Sequence, residues 1–518
     1  MCETPAVATE LDPVPRWQRV VGSWWVLAAV VLGVFVLSPV RDATVNDPAF
    51  APLTAHSLVH GGTVVLDGVG AEQLIGHPVV VSDGSLDPGF VVSSVGGEGW
   101  DRLQAAVDDP DVDVVDYFPW TSSLAAVPGI VAVDAWAAVT GGRDSGELLA
   151  DGDFTLVHTV SASLVTLGAV LVLRAIGLVV LTGAPGRRRV LANGVALVFA
   201  LGTSAWSTAS RALWQHTPSL LLLALALWCA VRIDRAEPSQ GSRPLDPWVV
   251  ALGAAAVGAT VVRPTNLAFA AIIGIWVLVR RRDFVVPTLC SAALGGAATA
   301  AAFVGASMIV LGQPVPDYYS AGRLELGGWF AEAVAANWIS PSRGLLVASP
   351  VVLLAVPGAI VAWRDPARRS LVVALGASVA AVTVSISAFP QWWAGHAFGP
   401  RFMTEAVPQL FVLALPAFDR ALDLAGLRVG APRRARSVAA AVAVVALAAW
   451  SIGFHAVGAI AGASGCWNVY PVDIDADPGR VWSVTDAQVL EPVHRQLDAE
   501  RRAAQDATCS GDRSAPVG

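Results

Sequence analysis

The sequence has no lysine; all 33 of the fixed cations in its 518 residues are arginines. Charge of either sign is scarce, at 14% of residues against 55% hydrophobic, where soluble domains carry nearer a quarter. Mean hydropathy is +0.60. These shortages exclude an ordinary soluble enzyme and leave lipid as the main solvent. A net charge of −8 offers no basic surface to nucleic acid. The five cysteines, Cys2, Cys229, Cys290, Cys466 and Cys509, include no CxxC pair. Zinc-ribbon and dithiol chemistry therefore lack support. No internal repeat is visible, which argues against an inverted-repeat transporter.

What the sequence does have is long apolar runs. A membrane span needs about 20 apolar residues, and eleven segments qualify: 22–40, 155–182, 190–209, 217–232, 247–262, 266–279, 285–312, 346–363, 370–389, 403–417 and 438–463. A weaker one, 122–139, carries Asp134 in its middle. The first block, Trp24 to Val40, lacks a small-residue cleavage pattern before Arg41 and Asp42 and reads as a retained span. Arginine clusters fall at Arg16 and Arg19, Arg187–Arg189, Arg232–Arg243, Arg280–Arg282, Arg364–Arg369 and Arg433–Arg436. Eleven spans put every cluster on one face, which the positive-inside rule makes the cytoplasm. Segment 122–139 is then re-entrant or interfacial; if it crossed, every later cluster would flip outward.

The predicted architecture is an all-α polytopic bundle of 11–12 transmembrane helices in the plasma membrane. Residues 1–21 form a cytoplasmic N-terminus, 22–463 the membrane domain, and 464–518 an external tail in which Cys466 and Cys509 can pair. The large first external loop, 41–121, holds thirteen Asp and Glu against two Arg and is too long for an idle connection. Within it, apolar runs around Gly and Pro turns at 77–92 read as a small hairpin, and acidic 98–114 as a solvent-side insertion.

Polar motifs gather at one set of span ends, the outer ones in this orientation. They are Asp42 and Asp47; Tyr117-Phe-Pro-Trp120; Ser207-Thr-Ala-Ser-Arg-Ala-Leu-Trp-Gln-His216; Arg263-Pro-Thr-Asn266; Asn337-Trp-Ile-Ser-Pro-Ser-Arg-Gly344; and Gln391-Trp-Trp-Ala-Gly-His-Ala-Phe-Gly-Pro-Arg401. Each has a plainer reading alone. Arg211 and Arg263 can snorkel to lipid phosphates, and Trp392 and Trp393 can sit in an interfacial belt. His216 and His396 can be structural hydrogen-bonders, Asp47 a helix cap before Pro48, and Asp42 surface charge. Together they describe one external pocket, because charge near lipid is costly and faces protein or a wet cavity.

At these motifs the chain resembles the GT-C class of membrane glycosyltransferases, relatives of protein O-mannosyltransferases and aminoarabinose transferases. The matching stretches are Asp47-Pro-Ala-Phe-Ala-Pro-Leu-Thr-Ala-His-Ser-Leu-Val-His60, Asp116-Tyr-Phe-Pro-Trp120, Phe199 to His216, Ser340-Pro-Ser-Arg343 and Trp392 to Phe402, in order over about residues 40–410. The composition fits an actinobacterial member. The resemblance implies transfer of a sugar from a polyprenyl-phosphate donor to a glycan, lipid or protein acceptor at the outer face. It implies an essential carboxylate just after the first span: Asp47 by spacing, with Asp42 in reserve. Where relatives carry an Asp-Glu pair, Pro48 follows Asp47 here, and a divalent metal stays open. Arg401 and Arg343 would bind phosphate, since a guanidinium fork gives bidentate contacts. Arg211, His216, Arg263 and His396 would line the substrate site, and Trp392 and Trp393 would pack on sugar or prenyl chain. A transporter or flippase of a lipid-linked or anionic substrate, and a non-catalytic subunit on the same scaffold, are the alternatives.

Overall fold

The computed structural model describes residues 15–40, 46–66, 78–82, 89–92, 98–109, 112–236, 245–319, 324–424 and 435–509. Asp42 lies outside them. Asp47 is described in its backbone only, as the second residue of a helix, Asn46–His60.

The chain is a helical polytopic membrane protein, and each of the eleven apolar segments falls on helix. In order these are α1 (Trp24–Leu37), α2 (Asn46–His60), α3 (Glu98–Asp108), α4 (Val127–Thr140), α5 (Thr155–Val180), α6 (Pro185–Leu201), α7 (His216–Asp234), α8 (Pro247–Val262), α9 (Leu267–Arg280), α10 (Val285–Leu311), α11 (Phe330–Ile339), α12 (Ala355–Trp363), α13 (Arg369–Ser387), α14 (Val407–Leu424) and α15 (Ala435–Ile460). Two short helices, α16 (Glu491–Leu497) and α17 (Ala499–Cys509), follow in the tail. Among the described residues, five helical stretches are long and apolar enough to cross a bilayer: Thr155–Val180, His216–Asp234, Arg282–Ile309, Pro366–Ser387 and Val438–Ile460. Others are short or broken, as Pro-containing segments should be. Residues 346–363 make a turn, a tight helix Pro350–Leu354 and then α12.

The helices are apolar on nearly every side, as expected where one face meets lipid and the other meets helix. Trp24, Trp25, Ile275, Ile309 and Val445 are exposed, while Phe199, Leu223, Leu227 and Phe411 are buried in one continuous core. Without a hydrophobic drive between helices in lipid, close backbone approach supplies the attraction. α8 and α10 show it: a Cβ on Gly253 would lie 2.5 Å from the Ala292 carbonyl oxygen, and one on Gly295 would collide with that of Val250.

The first loop folds as a unit with its own core. β1 (Pro78–Ser82) pairs antiparallel with β2 (Gly89–Val92), the expected hairpin, and on its other edge with β3 (Asp113–Asp116). Phe50, Leu53, Val79, Val114, Ile130 and Leu149 pack together, and Leu213 from the membrane domain joins them. α4, the weak segment, belongs to this unit. Its Asp134 accepts from His60 Nε2 at 3.0 Å and from the Ser145 amide at 2.8 Å.

The tail docks back on the bundle. Trp467, Ile474 and Val481 bury against Ala333, Ala336 and Trp392, and Cys466 is disulfide-bonded to Cys509, Cα atoms 5.9 Å apart.

Gly295→Val should separate α8 from α10. A lower midpoint for thermal unfolding of the purified protein in detergent, against an unchanged midpoint for a valine at Gly305, where nothing lies within 4 Å of a Cβ, is the expected result.

Candidate functional site

α6 ends at Gly202, and residues 203–215 run buried through the bundle before α7 begins. Arg211 sits in this connection with no exposed surface. Its Nη1 donates to Ser38 O at 3.0 Å, Nη2 to Phe35 O at 2.6 Å and Nε to Trp206 O at 3.0 Å. Helix ends leave carbonyls without intrahelical partners, and Arg211 takes those at the end of α1. Trp206 Nε1 adds a bond to Ser38 Oγ at 3.0 Å. Arg211, expected beside substrate, makes these backbone contacts and also donates to Ser210 Oγ, and so fixes where the first loop leaves the bundle.

Arg343 is similar. It is 2% exposed. Nη1 donates to Ala397 O and to Gln488 Oε1 (2.8 Å), and Nη2 to Gly395 O (3.0 Å) and Asn468 Oδ1 (2.9 Å). Gln488 closes the set, donating to Ala397 O at 2.9 Å and accepting from Gly399 N at 3.1 Å. The residue expected to share a phosphate with Arg401 thus ties loop 391–400 to the tail. His396 and Trp393 do likewise: His396 Nε2 lies 2.9 Å from Asp473 Oδ1, and Trp393 Nε1 donates to Asp475 Oδ1 at 2.6 Å. Trp392 is buried under the tail, edge-on to Trp393.

The other expected residues do meet, around one that the sequence reading missed. Glu405 stands in the tight turn Arg401–Ala406 that leads into α14, 1% exposed. His216 Nδ1 is 2.8 Å from its Oε1, and Arg263 Nε is 3.5 Å from the same oxygen. Arg263 Nη1 lies 3.0 Å from His216 Nε2. A guanidinium only donates, so Nε2 accepts and the imidazole proton sits on Nδ1, donated to Glu405. Phe402 lies between the cations: the Arg263 guanidinium is 5.6 Å and that of Arg401 5.4 Å from its ring centre. Arg401 also stands 4.0 Å over Trp214, a stacking that suits a planar guanidinium. Three stretches distant in sequence, 214–216, 263 and 401–405, supply this cluster.

Its polar capacity is not used up. Glu405 Oε2, Trp214 Nε1 and both amide atoms of Gln409, one turn further along, are buried without a hydrogen-bond partner among the described residues. Each such buried polar atom calls for an explanation, a bound water or a ligand among them. The first loop reaches the cluster through aromatics. The Gln215 side chain meets the Tyr318 hydroxyl at 3.1 Å, and Tyr318 packs edge-on to Tyr117, 5.6 Å away, and beside Phe118. Phe118 N in turn donates to Asp116 Oδ1 at 2.9 Å.

Two other groups bring three metal-type donors together: His396, Asp473 and Asp475; and Asp486, Glu491 and His494. In the second, Arg501 already donates to Asp486 Oδ1 (2.8 Å) and Glu491 Oε1 (2.9 Å). Glu405, which hydropathy hid inside the apolar segment 403–417, had one sequence signal: it follows Arg401 by four residues, the spacing of a helical ion pair.

No family model matches the chain, and no curated protein matches it. Among solved structures, the chain is similar to the crystal structure of ArnT from Cupriavidus metallidurans bound to undecaprenyl phosphate. That match has 16% identity and a TM-score of 0.45, covering 93% of this chain and 79% of that one.

If Glu405 and His216 bond directly, the variants Glu405→Gln and His216→Phe should be non-additive, with a coupling of about 1–3 kcal/mol. Detergent-unfolding midpoints for the two single variants and the double variant measure it. Additive effects would mean that the pair does not interact.

Proposed function

We propose that the protein is a glycosyltransferase that moves a sugar from a polyprenyl-phosphate donor to a cell-envelope acceptor at the outer face of the plasma membrane. The observation that supports this most is the pairing of Arg263 and His216 with Glu405, with Arg401 stacked beside them on Trp214 and on the Phe402 ring it shares with Arg263, beside the ordered GT-C-like motifs. Two guanidiniums about one aromatic ring make a receptor for a phosphate group, and the flanking apolar surface suits a prenyl tail. Glu405 is the counter-ion to Arg263 and the hydrogen-bond acceptor for His216. An unpaired charge so buried is strongly unfavourable.

The chemistry divides by residue. Transfer requires removal of the acceptor proton, and Asp47, at the start of α2, is the proposed base, with Asp42 as the supporting carboxylate. Arg401 and Arg263 stabilise the charge that develops on the leaving phosphate. A single carboxylate activating the acceptor directly inverts the anomeric carbon. Arg211 and Arg343 contribute by position, one fixing the exit of the first loop and the other the loop before Arg401. A second reading has one observation in its favour. A carboxylate with a free oxygen, buried among histidine and arginines in a membrane protein, also suits a transporter of an anionic substrate.

Purified protein given labelled polyprenyl-phosphate mannose or arabinose tests the enzyme reading. Asp47→Asn should lower transfer about 10²–10⁴-fold while donor binding persists, as removal of a general base does. Arg401→Ala should weaken donor binding and transfer together, with Arg401→Lys rescuing only part. Loss with Asp42→Asn but not with Asp47→Asn would move the base to Asp42. Donor uptake into vesicles without any transfer would favour the transporter.

The proposed sidedness has its own check. A cysteine at Gly84 should react with a membrane-impermeant maleimide from outside the cell, and one at Gly186 should not. Labelling at Gly186 would overturn the eleven-span arrangement.

A further inference from the structure

At the arginine-rich ends of the helices a cleft opens between the last turn of α7, the start of α13 and the middle of α14. It encloses about 40 Å³ and runs into open space, about 430 Å³ of empty volume in all. Pro416 lies within α14 on its wall, with Leu375 and Leu413, so most of the lining is apolar. Three charged side chains stand at its polar end: Asp234, Arg235 and Arg368.

The charges around this end are not balanced. Asp234 faces Arg280, with Nε and Oδ1 3.6 Å apart, and Arg368 faces Asp365 at 3.0 Å. Arg235 is exposed and, among the described residues, makes no close ion pair, although it shares the field of Asp234 and Asp365 with Arg280 and Arg368. Three arginines, Arg235, Arg280 and Arg368, thus share two carboxylates at the mouth of an apolar groove, an excess of one positive charge. Deeper in, Asp234 Oδ1 is buried with only the long 3.6 Å approach of Arg280 Nε among the described residues, so it has capacity for a further donor. A soluble anion would use the arginine and waste the apolar wall, and a plain acyl chain would do the reverse. A zwitterionic head group would bring its own cation to Arg235.

We propose that this cleft binds an anionic phospholipid with a hydroxylated head group, of the phosphatidylglycerol type. Its phosphate meets Arg235 and Arg368, a head-group hydroxyl donates to Asp234 Oδ1, and an acyl chain lies along Leu375, Leu413 and Pro416. Basic pockets between transmembrane helices are known to select lipid head groups in this way. The proposal needs nothing from the Glu405 cluster, which is built from other segments of the chain.

Native mass spectrometry of the full-length protein, released from detergent with equimolar phosphatidylcholine, phosphatidylglycerol and phosphatidic acid, tests it. Phosphatidylglycerol should be retained about tenfold over phosphatidylcholine, the worth of one charge-assisted bond. It should also exceed phosphatidic acid, whose head carries no glycerol hydroxyl. Arg235→Ala should bring phosphatidylglycerol down to the phosphatidylcholine level, and because Arg235 is exposed its loss leaves the fold intact, checked by an unchanged unfolding midpoint. Equal retention of phosphatidylcholine, equal retention of phosphatidic acid, an unaffected Arg235→Ala variant, or displacement of the lipid by millimolar inorganic phosphate would each overturn the proposal.

Discussion

An arginine cannot shed its charge, and a chain that has arginine as its sole fixed cation must find acceptors for each one it takes below the membrane surface. The structure meets that constraint in two ways. Arg211 and Arg343 spend their donors on backbone carbonyls and neutral amides, and so join segments. Arg263 faces the Glu405 carboxylate and the Phe402 ring, and Arg401 faces Phe402 and Trp214. The first pair is structural cement with little left to offer a ligand. The second keeps its charge within an apolar frame, where an incoming anion would feel it most.

That sorting was only partly legible in the sequence. The helical bundle was, because runs of apolar residues as long as a bilayer is thick admit few other readings. The hairpin at 78–92 was, because Gly and Pro turns bracket its valines. Which arginine would serve which purpose was not. Arg343 and Arg401 sit in equally conspicuous motifs, and only tertiary contact with Asn468 and Gln488, more than a hundred residues on, separates them. Glu405 escaped because a hydropathy window averages a lone carboxylate away, although in lipid a lone carboxylate is the residue most in need of explanation.

The loop before Arg401 shows what such contacts achieve. Ala394, Gly395 and Gly399 all have positive φ, and Ala394 is the one non-glycine residue to do so among the described residues. An alanine resists that conformation. Arg343, Gln488, Asp473 and Asp475 hold the chain there from three sides. The loop's shape is therefore a property of the docked tail as much as of its own sequence.

This docking sets an order on biogenesis. The ribosome makes residues 391–401 well before Gln488, and the helices around Glu405 can insert as they emerge. The carbonyls of Gly395 and Ala397, however, can be fully engaged only after the tail has been synthesised and folded back. A segment made some 91 residues later is thus the keystone of a loop laid down before it. A nascent chain released short of it would carry a complete bundle and an unfinished rim.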